Sequence, residues 1–470
     1  MVFSSIVFIF MFLPAVMILY RFIPEKMKNG LLLIASLIFY AWGEPVYVFL
    51  MIFSIVFNYF MGLEMEKCGV SNGGSRKLRR KDWILIACVA VNIGMLCFFK
   101  STNFAINTVN SFFGAGFSGL SLALPIGISF YTFQVLSYVI DVYRGTVKVQ
   151  KNIVDFGMYI TFFPQLIAGP IVRYTDIESQ LSHRPMDCDM ADDGIVRFTA
   201  GLAKKVLIAN QCGLLWDEIY SYGGNVPALM AWLGALAFTL QIYYDFSGYS
   251  DMAIGLGKIF GFKFPENFRY PYESKSITEF WRRWHITLGT WFREYLYIPL
   301  GGNRKGAKRQ VLNLLIVWFL TGLWHGAGWN FIIWGLYYFV LIATEKLFLG
   351  DLLSKLPAPI QHLYALFFIV VGWVIFACDD MSILVPYLKS MFGMGAEAST
   401  MSMYYLRSYG LLTAAGALGS LHFMHDLPAR IFKNNKILQA LGFAFALAML
   451  ALSVAFIIGD SYNPFLYFRF

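Results

Sequence analysis

Between Val311 and Thr344 the chain runs for 34 residues without an Asp, Glu, Lys or Arg. A straight α-helix of that length reaches about 50 Å, against a hydrocarbon core of about 30 Å. One helix cannot hold the whole run inside a bilayer, so the segment must break. The break is predicted at Gly322-Leu323-Trp324-His325-Gly326-Ala327-Gly328, where three glycines bracket a histidine. Two arms of about 15 residues then leave His325 deep in the membrane or close under one interface. An ionisable residue there is a candidate functional group. The alternative is a histidine that only hydrogen-bonds a neighbouring helix, beside glycines that let backbones approach.

The rest of the chain supports a membrane setting. Of 470 residues, 58% are apolar and 14% charged, whereas soluble domains run nearer half apolar and a quarter charged. At roughly 20 residues per crossing, this stock supplies on the order of ten to twelve spans. The expectation is an all-α, polytopic membrane protein, residues 1–470 forming a single membrane-embedded domain. Disorder, a disulfide scaffold and a nucleic-acid partner are excluded by composition. The net charge of +9 sits in loops, where Lys and Arg mark the cytoplasmic side. Six scattered cysteines with no C-x-x-C pair are expected to pack in the core, with no metal.

Val2 to Tyr20 is apolar and followed by Arg21, the reverse of the charge order of a cleaved signal peptide, and is expected as a retained first helix. Further spans are expected at Leu31 to Trp42, Pro45 to Leu63 and Trp83 to Phe99. Lys26 and Lys28, and the basic run Arg76 to Lys81, place two connections in the cytoplasm and Met1 outside. Leu122 to Tyr143, Val154 to Val172, Ile195 to Leu215 and Val226 to Tyr244 carry Pro, Gly and polar residues, which the membrane tolerates only around a cavity or inside protein. Leu363 to Cys378, Leu411 to Met424 and Ile437 to Ile458 read as ordinary spans, with Arg430, Lys433 and Lys436 in a cytoplasmic loop.

Glu279 to Pro299 is too charged for a simple span. Trp281, Trp284, His285, Leu288, Phe292 and Tyr295 fall at three- and four-residue spacing, with Arg282, Arg283, Arg293 and Glu294 elsewhere. A helix in the interface, or dipping partway in, is predicted. The basic turn that follows, Leu300 to Lys305 with Asn303 and Arg304, offers charges and amides for the phosphates of a cytosolic cofactor, or is only a topological anchor. Asp245, at the end of an apolar run, either orients a histidine or caps the next helix.

Four segments carry a resemblance: Phe162 to Arg173 (FFPQLIAGPIVR), Tyr244 to Asp251 (YDFSGYSD), Trp284 to Arg304, and Trp324-His325-Gly326. With the opening MVFSS and the closing PFLYFRF, the chain resembles, along essentially its whole length, a membrane-bound O-acyltransferase of the alginate O-acetyltransferase-like branch. The resemblance implies a ring of tilted helices, with re-entrant or interfacial helices, around a central tunnel. An acyl donor, acetyl-CoA, enters from the cytoplasm and a glycan acceptor from outside. It implies His325 as the catalytic histidine and His285 as the second motif histidine. Trp284, Arg293, Asn303, Arg304, Trp324 and Asp245 become candidate substrate contacts.

The chemistry asks for little. An acyl thioester is already activated, so a base near neutral pKa and an oxyanion donor suffice; the Trp324 indole or a glycine-turn amide is the candidate donor. The terminal FLYFRF is similar to aromatic C-terminal motifs of related cell-wall acylation systems, which makes Tyr467 a candidate acyl relay to an extracytoplasmic, esterase-like partner protein; an interfacial anchor is the alternative. The function expected is O-acetylation of an exported polysaccharide or peptidoglycan in a bacterial cytoplasmic membrane. Its rivals are D-alanyl transfer to teichoic acid and, from another class, a transporter or channel.

Overall fold

The computed structural model describes residues 1–68, 79–184, 187–424, 436–459 and 465–466. Among these all regular structure is helical. Among the described residues five helices are long and apolar enough to cross a membrane: Val48–Lys67, Arg80–Phe113, Trp329–Leu353, Ala358–Ala377 and Ala440–Gly459. The chain is a multi-pass membrane protein. Outward-facing Leu411 (84% exposed) and Phe445 (66%) are what lipid, not water, accommodates.

The chain packs as two compact units, Met1–Phe198 with Met252–Pro265, and Thr199–Asp251 with Glu266–Phe470. In the first, Phe8, Phe39 and Phe163 form a fully buried ring cluster. Val48–Lys67 and Arg80–Phe113 are joined by two asparagines: Asn58 Nδ2 donates to Asn92 Oδ1 (3.2 Å) and Asn92 Nδ2 to Asn58 Oδ1 (2.8 Å). Polar side chains that satisfy one another across helices are the adhesive available where lipid removes the hydrophobic drive. The expected span at Trp83 to Phe99 is longer in the structure, continuing to Phe113 and stopping at Gly114, whose φ of 65° suits glycine. The run Val154 to Val172 is broken at Phe162 into Ile153–Thr161 and Phe163–Leu166, with Pro164 in the first turn of the second piece. Cys88, Cys212 and Cys378 are buried as expected, but Cys97 and Cys188 are exposed.

In the second unit the predicted break is present: Ala307–His325, then Gly326 to Gly328, then Trp329–Thr344. The glycines allow close approach. A Cβ on Gly326 would collide with the Phe331 ring, one on Gly322 with the Phe331 carbonyl, and one on Gly335 would stand 2.5 Å from the Trp318 carbonyl. The two helices therefore pack backbone to backbone on either side of the break. Asn330 Nδ2 donates to the Phe376 carbonyl (2.9 Å), tying this hairpin to Ala358–Ala377.

Two expectations change here. Glu279 to Pro299 is not one helix: Ile277–Arg283 and Ile286–Phe292 flank a break at Trp284 and His285, and His285 adopts φ 44°. The backbone leaves the helix because the Ile286 N–H bonds the Asn267 carbonyl (2.9 Å) and the Arg269 N–H the Arg283 carbonyl (2.9 Å). Asp245, in turn, caps nothing. It lies inside the 32-residue helix Ala228–Ile259.

Candidate active site

His325 ends its helix and is only 6% exposed. Its ring lies 5.0 Å from that of Trp334 and 5.4 Å from that of Phe376, both edge-on, and 5.0 Å from that of Trp324. It borders a cavity of ≈ 20 Å³ whose wall includes Asp245, Trp281, Trp284, Trp334 and Trp373. That volume is about one water molecule's worth. The side chains of the wall are apolar and mostly aromatic apart from Asp245 and His325, the setting in which a few polar groups act strongly.

Asp245 is 1% exposed and pairs with Lys205, Oδ1 to Nζ at 2.5 Å. Lys205 sits on the π-helical turn Lys204–Ala209, and Lys204 pairs with Asp251 at 2.7 Å. The other Asp245 oxygen, Oδ2, accepts the backbone N–H of Leu466 (2.7 Å). Phe465 packs on Phe246 and Tyr249 at 5.7 and 5.0 Å. Phe465 and Leu466 thus complete the cavity wall beside His325. Asp245 receives both a cation and an amide, as a buried carboxylate requires.

His285 is 2% exposed. Its Nδ1 lies 3.0 Å from Asn267 Oδ1, which also accepts from the Thr287 N–H (3.3 Å) and Thr287 Oγ1 (2.9 Å). A backbone N–H can only donate, so the atom facing it is the amide oxygen, and the Asn267 Nδ2 accordingly donates to Ser250 Oγ (3.0 Å). Facing an acceptor, Nδ1 of His285 must carry the proton. Nε2 is then the basic nitrogen, buried and with no hydrogen-bond partner among the described residues. The left-handed backbone at His285, costing roughly 1–2 kcal/mol for a residue with a Cβ, holds this ring off the helix path.

A model of the membrane-bound O-acyltransferase family matches residues 148–378, which contain Asp245, His285 and His325. The chain is 39% identical to a probable alginate O-acetylase AlgI of Azotobacter vinelandii over 100% of both proteins. It is 34% identical to a peptidoglycan O-acetyltransferase of Helicobacter pylori over 84% of this chain and 80% of that one. A teichoic acid D-alanyltransferase of Bacillus subtilis is 30% identical over 47% of this chain and 59% of that protein.

The chain belongs to the membrane-bound O-acyltransferase family. As a member it is an O-acyltransferase, which sets aside the transporter or channel reading. In this membrane-bound O-acyltransferase the cavity brings together His325, Trp284 and Asp245 of the residues named from sequence. Trp324 links the two histidines, its ring 6.3 Å from that of His285 and 5.0 Å from that of His325. Arg293 points away from them, 71% exposed and 3.8 Å from Glu294. Asn303 and Arg304 are exposed in the turn between Tyr297 and Gly306. Tyr467 lies outside the described residues, as do Arg430 and Lys433.

Sequence reasoning missed Lys205, Asn267, Trp334 and Trp373. Trp334 had a signal, since it follows His325 by nine residues across the predicted break. Lys205 and Asn267 had none, because their roles depend on partners 40 and 18 positions away.

Proposed function

We propose that this O-acyltransferase moves an acetyl group from acetyl-CoA, presented at the cytoplasmic side of a bacterial cytoplasmic membrane, to a hydroxyl of an extracytoplasmic polysaccharide or peptidoglycan. One observation carries the reading: His325 stands at the break between two apolar helices, in the wall of an aromatic cavity, in a chain that aligns end to end with a probable alginate O-acetylase. His325 takes the proton of the attacking hydroxyl. The oxygen bonds the thioester carbonyl carbon, the carbon–sulfur bond breaks, and the proton passes to the leaving thiolate. Trp281 and Trp334, both in the wall, have indole N–H groups with no acceptor among the described residues; they are the candidate donors to the carbonyl oxygen, in preference to Trp324, which is outside the wall.

The segment Phe465–Leu466 supports a further step. Both residues line the cavity wall that also holds His325. Tyr467 follows Leu466 directly, and in this reading its hydroxyl is the first acceptor, passing acetyl to an esterase-like partner protein outside the membrane. D-alanyl transfer is the second reading, and the shorter match to the D-alanyltransferase favours acetyl over it.

The experiment is single-turnover labelling of the purified protein with radiolabelled acetyl-CoA or a D-alanyl carrier thioester, followed by analysis of the chain and the glycan. Acetyl label on the wild-type chain, absent from Tyr467→Phe, supports the relay. Acetylation of the glycan at wild-type rate by Tyr467→Phe removes the relay while leaving His325 in place. Label from the D-alanyl thioester alone removes the acetyl assignment.

A further inference from the structure

A second cavity, of ≈ 750 Å³, lies in the first compact unit. Its size suits a small amphiphilic ligand. One edge is apolar: Ile18 and Phe22, 60% and 84% exposed, face outward where lipid is the solvent. Another carries three cations, Arg21, Lys28 and Lys258, against two carboxylates, Glu25 and Asp187, and is net basic. Lys28 is balanced by Glu25 at 2.5 Å, and Lys258 faces Asp193 only at 3.7 Å.

Behind the wall residue Tyr20 sits Arg184, 8% exposed. Its Nε donates to Tyr20 Oη (2.9 Å) and its Nη1 to the Gln180 carbonyl (3.2 Å), while Nη2 is buried with no partner among the described residues. Its guanidinium lies 4.2 Å over the Phe262 ring. Tyr20 Oη itself donates a hydrogen bond to the Phe260 carbonyl (2.8 Å), and Lys28 Nζ stands 4.9 Å over the Tyr20 ring. Among the described residues no carboxylate pairs with Arg184 or with Arg21. A buried cation held only by neutral partners is costly. One buried cation behind Tyr20 and one exposed cation, Arg21, in the wall, beside an apolar rim, suit an anion with a hydrocarbon tail.

We infer that this cavity binds the phosphodiester headgroup of an anionic phospholipid, the phosphate between Arg21 and Lys28 of the wall, with the Arg184 charge behind Tyr20 adding to the field there, and an acyl chain along Ile18 and Phe22. Arginine is the side chain suited to phosphate at such a site. The site is separate from the acyl-transfer cavity and does not depend on the identity of the acyl donor.

Native mass spectrometry of the full-length protein, with phosphatidylglycerol, phosphatidylcholine or inorganic phosphate added, tests the assignment. Arg184→Met removes a buried cation and should fold; Arg21→Ala changes an exposed residue and serves if the first does not. The wild type is expected to retain phosphatidylglycerol in preference to phosphatidylcholine. Each variant is expected to bind it roughly tenfold or more weakly, the scale of one lost charge-assisted hydrogen bond. Equal retention by wild type and variants overturns the inference, as does no preference between the two lipids. Binding of inorganic phosphate that phosphatidylglycerol does not displace assigns the site to a soluble phosphate and overturns the lipid.

Discussion

The backbone N–H of Leu466 donates to Asp245 Oδ2 at 2.7 Å, so a residue four positions from the last residue of the sequence is fastened to the middle of the helix Ala228–Ile259. This bond seats Phe465 and Leu466 in the wall that also holds His325. Leu466→Pro deletes the donor, along with the leucine side chain in the wall. It is expected to lower acetyl transfer by about tenfold, the worth of one hydrogen bond to a charged group, at unchanged protein abundance. Leu466→Ala, which keeps the N–H, is expected to stay near wild type. Equal activity of the two variants, measured by acetyl release from the glycan, contradicts a role for the fastening.

Lys205 and Asp245 form the buried ion pair on which that fastening rests, with side chains 6% and 2% exposed. Lys205→Met leaves a buried carboxylate without its cation and is expected to destabilise the protein by about 3–5 kcal/mol. Lys205→Met with Asp245→Leu removes both charges and is expected to recover most of that loss. Thermal unfolding in detergent reads the cycle; additive losses contradict the pair.

Asn267 fixes which nitrogen of His285 carries the proton. Asn267→Leu leaves Nδ1 without its acceptor and loosens the His285 ring packed beside Trp324, so acetyl transfer is expected to fall by about tenfold, the worth of one buried hydrogen bond. Asn267→Asp, which preserves an acceptor toward Nδ1, is expected to retain more activity than the leucine variant. Transfer rates at saturating donor, compared with unfolding temperatures, separate this from a loss of fold.

The hairpin around His325 was legible because length alone forbids 34 uncharged residues from spanning as one helix, and three glycines mark where the chain turns back. The break at His285 was not. Its sequence keeps helical spacing through Trp281, Trp284, His285 and Leu288, with no glycine or proline at the turn, and what interrupts it is a pair of backbone bonds to Asn267 and Arg269. Asp245 shows a similar limit. The run after it, Phe246-Ser247-Gly248-Tyr249-Ser250-Asp251, looks like a helix end, yet the helix continues because Lys205 and Lys204 neutralise both acids. Local pattern reveals where a membrane segment must stop, but not where a distant partner lets it continue.

Gly326 carries the turn through space rather than through φ. Gly326→Ala places a methyl into the Phe331 ring, and destabilisation of about 1–3 kcal/mol is expected from the overpacking. Adding Phe331→Leu is expected to restore part of the unfolding temperature. No recovery in the double variant contradicts the steric account.

The central claim is that the His325 imidazole performs the transfer. Glycan acetyl content in cells carrying His325→Ala, with the variant's membrane abundance and unfolding temperature matched to wild type, tests it most directly. The expected result is loss of acetylation by about a hundredfold or more from a folded, membrane-inserted protein; acetyl content equal to wild type contradicts it.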